Sequence, residues 1–189
     1  MDTGDLGIGI ILGSTRPRRR GASVAAWVAE LASTRDARYT LIDLADQGLP
    51  LLDEPESPAK GDYAHAHTRA WADLIAPLDG FVFVTPEYNH SYPAALKNAI
   101  DFLWAEWNDK AAGIVSYGNA GGTRAAEHLR GVLSAVGMVH VRRHVTLDIR
   151  ADFDGYEARP VDHHDRALAG LLADVEHHAL AMREVRAAR

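Results

Sequence analysis

The chain contains no cysteine. That absence excludes disulfides, thiolate metal centres, redox thiols and any mechanism built on a cysteine nucleophile, including the phosphatases and arsenate reductases that pair a cysteine with a phosphate loop. Basic residues are also in short supply, with 20 Lys and Arg against 26 Asp and Glu and a formal charge of −6. Binding a nucleic-acid backbone needs a surplus of cationic surface, so no nucleic-acid partner is expected. No apolar run approaches the roughly 18 residues of a bilayer span, and the start Met1-Asp2-Thr3-Gly4-Asp5 lacks the charged-then-apolar pattern of a signal peptide. A cytoplasmic protein without membrane contact is the expectation. Two phosphate signatures are missing as well: there is no G-x-x-x-x-G-K-[ST], and Gly7, Gly9 and Gly13 have the wrong spacing for G-x-G-x-x-G.

What is present is an ordinary globular composition, 47% hydrophobic and 24% charged over 189 residues, which suits one domain covering 1–189. Short unbroken apolar runs alternate with segments of helical period, as when strands buried on both faces are joined by covering helices. Leu6 to Leu12, Tyr39 to Leu44, Gly80 to Val84, Ala111 to Tyr117 and Val139 to Leu147 read as five parallel strands. The last, with Arg142, Arg143 and His144, reads as less fully buried. Helices are expected around Val24, Trp27, Val28 and Leu31; around Trp71, Leu74 and Ile75 as far as Pro77; and around Leu96, Ile100 and Leu103 with Trp104 beside them. Two more run along Ala125, Leu129, Val132 and Val136 up to Gly137, and along Leu168, Leu171, Leu172, Val175, Ala179 and Met182. The Pro-, Gly- and acid-rich stretch from Gly48 to Gly61 reads as a surface excursion. Right-handed crossovers then predict a doubly wound α/β sandwich, which binds ligands beyond the carboxyl ends of its strands.

Three loops lie there. Gly13-Ser14-Thr15-Arg16-Pro17-Arg18-Arg19-Arg20-Gly21 is a hydroxyl-rich, strongly cationic turn leading into a helix, suited to a phosphate through backbone N–H groups, Ser14, Thr15 and the Arg16 fork. Thr85-Pro86-Glu87-Tyr88-Asn89-His90-Ser91-Tyr92-Pro93 is polar and aromatic, with Pro93 placed for the first turn of a helix. Ser116-Tyr117-Gly118-Asn119-Ala120-Gly121-Gly122 lets backbone approach a flat ligand closely. Any one of these is an ordinary turn. Together they suit a ligand with one terminal phosphate and a planar ring. No metal is expected: His163, His164, His177 and His178 fall on a packed helix with divergent directions, and His65 and His67 on a surface helix.

These three loops resemble the NADPH-dependent FMN reductase family of quinone, chromate and azo-dye reductases. The resemblance implies a flavodoxin-like three-layer α/β sandwich, its five-stranded parallel sheet ordered 2-1-3-4-5 with helices on both faces. It implies FMN as cofactor, NAD(P)H as co-substrate, and a ping-pong transfer of hydride to the flavin and then to a quinone, flavin, azo or metal acceptor. It places Ser14, Arg16, Arg19, Arg20 and Gly21 at the phosphate region, Pro86, Glu87, Tyr88 and Asn89 at the isoalloxazine, and Ser116 and Gly118 at the remaining wall. Some relatives carry a serine and an asparagine where this chain has Arg19 and Gly21. No obligate catalytic side chain is implied, with His90 and Glu87 as candidate proton donors. The stretch Asn98 to Lys110, with Trp104 and Trp107, resembles a part of the family that builds dimers, so a homodimer or homotetramer is expected. The alternative is a flavodoxin-type electron carrier without NAD(P)H activity, whose T-x-T-G-x-T loop this first loop does not match.

Overall fold

A computed structural model of the chain describes residues 6–189; the Met1–Asp5 start, read above as no signal peptide, lies outside them. Five strands, β1 (Gly7–Leu12), β2 (Arg38–Asp43), β3 (Gly80–Pro86), β4 (Ala111–Gly118) and β5 (Val139–Asp148), form a parallel sheet in the order β2-β1-β3-β4-β5. Each strand except the last leads into a crossover. The long helices are α1 (Gly21–Ala32), α2 (Ala66–Ile75), α3 (Ala94–Asp101), α4 (Thr123–Ala135) and α5 (Asp162–Ala187).

Strand periodicity of two divides the sheet's side chains between two cores. Ile8, Ile10 and Leu12 of β1, with Val82 and Val84 of β3, pack against Val24 and Val28 of α1 and Leu168, Leu172 and Val175 of α5. On the other face Phe81, Phe83 and Ile114 meet Trp71 and Ile75 of α2, Leu96 and Ile100 of α3, and Leu129 and Leu133 of α4. Trp107 is the hub of this second core, 5.0 Å from Phe81 and 6.2 Å from Trp71 between ring centroids, with its indole N–H donated to Ile100 O at 3.1 Å. Gly9 lacks a side chain because Phe81 fills its place: a Cβ there would lie 2.8 Å from Cδ1 of that ring.

The expected five strands and five helices all form, with three differences. β2, at the edge where the order 2-1-3-4-5 puts it, is not buried on both faces, and Leu41 stays 48% exposed. β3 runs on to Pro86, whose register partner is Tyr117, so the third loop begins two residues later than the apolar run suggests. α3 stops at Asp101, leaving the buried Leu103 and the half-exposed Trp104 in a turn that ends at Asp109, where φ is 54°. A further element was not expected at all: β6 (Phe153–Asp154) and β7 (Glu157–Ala158) make a short antiparallel hairpin after β5.

Candidate functional site

The first loop leaves β1 already hooked to its neighbour, since Gly13 N–H donates to Val84 O at 2.9 Å. Ser14 is fully buried and shares a 2.8 Å hydrogen bond with the Tyr88 hydroxyl, which joins the first loop to the third. Thr15 to Arg18 are exposed, and Arg18 takes a left-handed φ of 55°. Arg19 forms an ion pair with Asp43, whose other oxygen accepts from Ala45 N–H at 2.9 Å at the end of β2. Arg20 caps α1 and donates from Nε to Gly155 O at 2.9 Å. At Gly21 a Cβ would fall 2.5 Å from the Tyr117 hydroxyl and 2.8 Å from Leu12 Cδ1, so only glycine lets the helix start beneath that phenol.

In the third loop Tyr88 and Ser91 exchange backbone hydrogen bonds of 2.8 and 3.2 Å around Asn89 and His90, both left-handed at φ 49° and 79°. Two consecutive positive φ values are the signature of a type I′ turn, which usually recruits Asn-Gly; here histidine occupies the glycine position at a cost in strain. Glu87 N–H bonds Tyr117 O at 3.0 Å, and its side chain forms an ion pair with Arg124 in the first turn of α4. Burial opposes the charge on Glu87, yet the Arg124 guanidinium prevails and holds the carboxyl below the ordinary carboxylate range. A carboxyl so held stays ionised near neutrality and does not serve as a proton donor. His90 is exposed at the tip of the turn, its ring 6.0 Å from that of His128.

The loop after β4 is fastened from below. Ser116, fully buried, donates to Gly121 O and accepts from His144 Nε2 at 2.8 Å. Burial and then the charge of Arg130 push the His144 pKa down to about 4, so the imidazole is neutral. Gly118 faces Glu87: a Cβ there would lie 3.2 Å from Glu87 Cβ and 3.1 Å from Gly122 N. Tyr117 is buried, and burial raises its phenol pKa; its hydroxyl faces the start of α1 with no hydrogen bond of normal geometry.

Between these loops lies a cavity of about 370 Å³, within the ~300–1,000 Å³ typical of small-molecule sites. Arg16 to Arg20 line one side, Pro86 to Tyr88 and Tyr117 to Asn119 another, and Ile149 and Tyr156 close it. Of the residues expected at the site, Arg16, Arg19, Arg20, Pro86, Glu87, Tyr88 and Gly118 meet here. Ser14, Gly21, Asn89 and Ser116 lie outside the lining; Ser14, Gly21 and Ser116 instead support residues that do line it, through Tyr88, Tyr117 and the Gly121 turn. Tyr117 and Asn119, from the expected loop after β4, also line it, whereas Ile149 and Tyr156 come from outside the three expected loops. The hairpin that brings Tyr156 carries a readable signal, the Asp154-Gly155 pair between Phe153 and Tyr156, with Gly155 at φ 59°.

The charge around this cavity is lopsided. Among the described residues Arg16, Arg18 and Arg20 have no carboxylate within ion-pair distance, whereas Arg19 has Asp43 and the only acidic lining residue, Glu87, is paired with Arg124. Three uncompensated guanidinium groups beside a helix start favour an anion.

Residues 6–152 match the profile of the NADPH-dependent FMN reductase family. An NAD(P)H-dependent FMN reductase of Schizosaccharomyces pombe is 47% identical over 126 residues, 65% of this chain and 63% of that protein. A second, from Saccharomyces cerevisiae, is 40% identical over 143 residues, 69% and 75% of the two chains, and a quinone reductase of Escherichia coli is 36% identical over 129 residues, 65% and 66%. The aligned region thus spans about two thirds of these relatives' length. Among solved structures, the flavoenzyme NAD(P)H:acceptor oxidoreductase FerB of Paracoccus denitrificans superposes with a TM-score of 0.71 over 92% of this chain and 98% of that one, at 22% identity, which speaks for the fold. The oxidised flavodoxin 1 of Bacillus cereus, at 14% identity and a TM-score of 0.57 over 90% and 98%, supports the same flavodoxin-like architecture. With a sheet of order 2-1-3-4-5, a cationic loop after β1 and a family match over most of its length, the chain belongs to the NADPH-dependent FMN reductase family.

Proposed function

We propose that this protein is an NAD(P)H-dependent FMN oxidoreductase that passes reducing equivalents to a small planar acceptor such as a quinone. The observation that carries the reading is the cavity with three unpaired arginines on one side and the backbone of two strand-ending loops on the other. Its residues fit a flavin mononucleotide. The cationic loop offers polar partners at one end, while Pro86, Tyr88 and Gly118 line the other. When bound, FMN supplies the two-electron redox chemistry, accepting from a nicotinamide and donating to the acceptor.

The chain's own residues then bind and orient. Arg16 and Arg20, with the N–H groups that open α1, would hold the phosphate, and Arg19 keeps the loop in place through Asp43. Ser14 fixes Tyr88, and Gly21 makes room for Tyr117. Pro86, Glu87, Tyr88 and Asn89 would flank the isoalloxazine, with Ser116 and His144 bracing the turn that carries Gly118. The reading extends to one domain over 1–189, a cytoplasmic location and a homodimer or homotetramer; no described helix is long and apolar enough to cross a membrane. Leu51 at 83% and Trp104 at 38% exposure are apolar surface that a second copy would cover.

Anaerobic addition of NADPH or NADH to the flavin-loaded protein should bleach the flavin absorbance, and a quinone should restore it. Failure of both nucleotides to bleach it would favour a flavodoxin-type electron carrier instead.

A further inference from the structure

The β6–β7 hairpin lies beyond residue 152, where the family match ends, yet it forms a wall of the cavity. Three contacts dock it on the start of α1. Arg20 Nε donates to Gly155 O at 2.9 Å, the Ser23 hydroxyl is 3.0 Å from Tyr156 O, and Ala158 N–H donates to Ser23 Oγ at 3.0 Å. This docking brings one aromatic ring within reach of two cations of the first loop: Arg18 Cζ and Arg20 Cζ each lie 5.0 Å from the centroid of Tyr156, with Arg20 also 5.9 Å from Phe153.

Two guanidinium groups sharing one ring repel each other, and among the described residues no carboxylate pairs with either. Asp154, on the same hairpin, is turned to Arg159 at 3.5 Å. The ring attracts both cations through its quadrupole and leaves the Arg18 guanidinium and the terminal NH2 groups of Arg20 to donate, an arrangement that matches an ion of double negative charge.

We propose that Tyr156 is a positioning residue that holds Arg18 and Arg20 as a preformed clamp for a phosphate monoester. The proposal rests on the flavin reading above, and such a group occurs both on the tail of FMN and at the 2′ position of NADPH. Tyr156 is itself 45% exposed on a surface hairpin, so its replacement leaves the two cores intact.

The test compares wild type with Tyr156→Leu and Tyr156→Phe. Full-length protein freed of flavin is titrated with FMN and with riboflavin, and KM is measured for NADPH and for NADH on the reloaded enzyme. The expected result is an FMN Kd raised about tenfold in Tyr156→Leu, an unchanged riboflavin Kd, and wild-type values for both in Tyr156→Phe, which keeps the ring. A rise confined to the KM for NADPH, with NADH unaffected, equally supports the clamp and assigns it to the nucleotide. Equal loss of FMN and riboflavin would make the ring simple packing and overturn the proposal, as would no change in any of the four values. A wild-type chain that takes up no FMN overturns the flavin reading along with it; uptake by wild type with an indifferent Tyr156→Leu overturns the clamp alone.

Discussion

The two ends of the parallel sheet carry similar charges and treat them in opposite ways. At the amino end Asp79, nearly buried between β1 and β3, accepts from Gly7 N–H at 3.1 Å and binds both Arg183 and Arg186 of α5. Lys110, also buried, donates to Ile75 O and Ala76 O at 2.9 Å each, at the end of α2. Burial first, and then the charge of Arg186, pushes the Lys110 ammonium down to about 8. Asp79 answers the two arginines there, and two carbonyls answer Lys110. At the carboxyl end, among the described residues, Arg16, Arg18 and Arg20 line a cavity with no carboxylate at ion-pair distance. The first arrangement locks a helix to a sheet, whereas the second leaves attraction unspent for a ligand.

Breaking the amino-end network should have the largest effect. Asp79→Asn removes the carboxylate that Arg183 and Arg186 share and should cost about 3 kcal/mol of stability, seen as a lower urea midpoint, while FMN affinity of the folded fraction is unchanged. Arg16→Ala does the reverse. It should weaken FMN binding by roughly 1.5–3 kcal/mol with no shift of the urea midpoint, and unchanged affinity would remove Arg16 from the phosphate region. Gly21→Ala sits on the boundary, since its Cβ would strike the Tyr117 hydroxyl; it should cost about 1–3 kcal/mol of stability and lower FMN affinity together. A loss of only one of the two would separate helix start from cavity.

The smallest effect concerns the layer beneath the site. His144 has a folded pKa of about 4, below its ordinary value, so the unfolded chain binds the extra proton between about pH 6.5 and 4. Stability from this group is complete above about 6.5 and is lost as pH falls through 4. Allowing for its partial exposure, the change is about 1–2 kcal/mol, and His144→Gln should flatten the fall of Tm on acidification.

Much of the fold was legible because its strands announce themselves. Ile8, Ile10 and Ile11, or Phe81 to Val84, are apolar without interruption since helices cover both faces of the sheet. β2 was legible as a strand from its own residues, but as an edge only through the family resemblance, because neighbours across a sheet leave no local mark. The site was legible as three loops, and seven of the expected residues do converge on one cavity. Ser116 shows where loop-level reading ends: the residue lies in the right loop, but its hydroxyl is committed to Gly121 O and His144, a partner 28 positions away. Arg19 is similar, a loop cation whose charge is absorbed by Asp43 at the end of a different strand. Tyr156 was missed although Asp154-Gly155 is a hairpin signal, because two-residue strands are too short for alternation to register.

The Arg19–Asp43 pair also bears on the entropy of binding. The first loop is tied at Gly13 to β3, at Arg19 to β2 and at Arg20 to the hairpin, so only residues 14–18 lie between its ties. Within that stretch Ser14 is already held by Tyr88 and Pro17 has its φ fixed by its ring. At about 1–2 kcal/mol for each backbone residue that must be fixed, a free nine-residue loop would forfeit most of what its arginines gain. This one forfeits little, and it can release its occupant and take it up again without the sheet beneath having to rearrange.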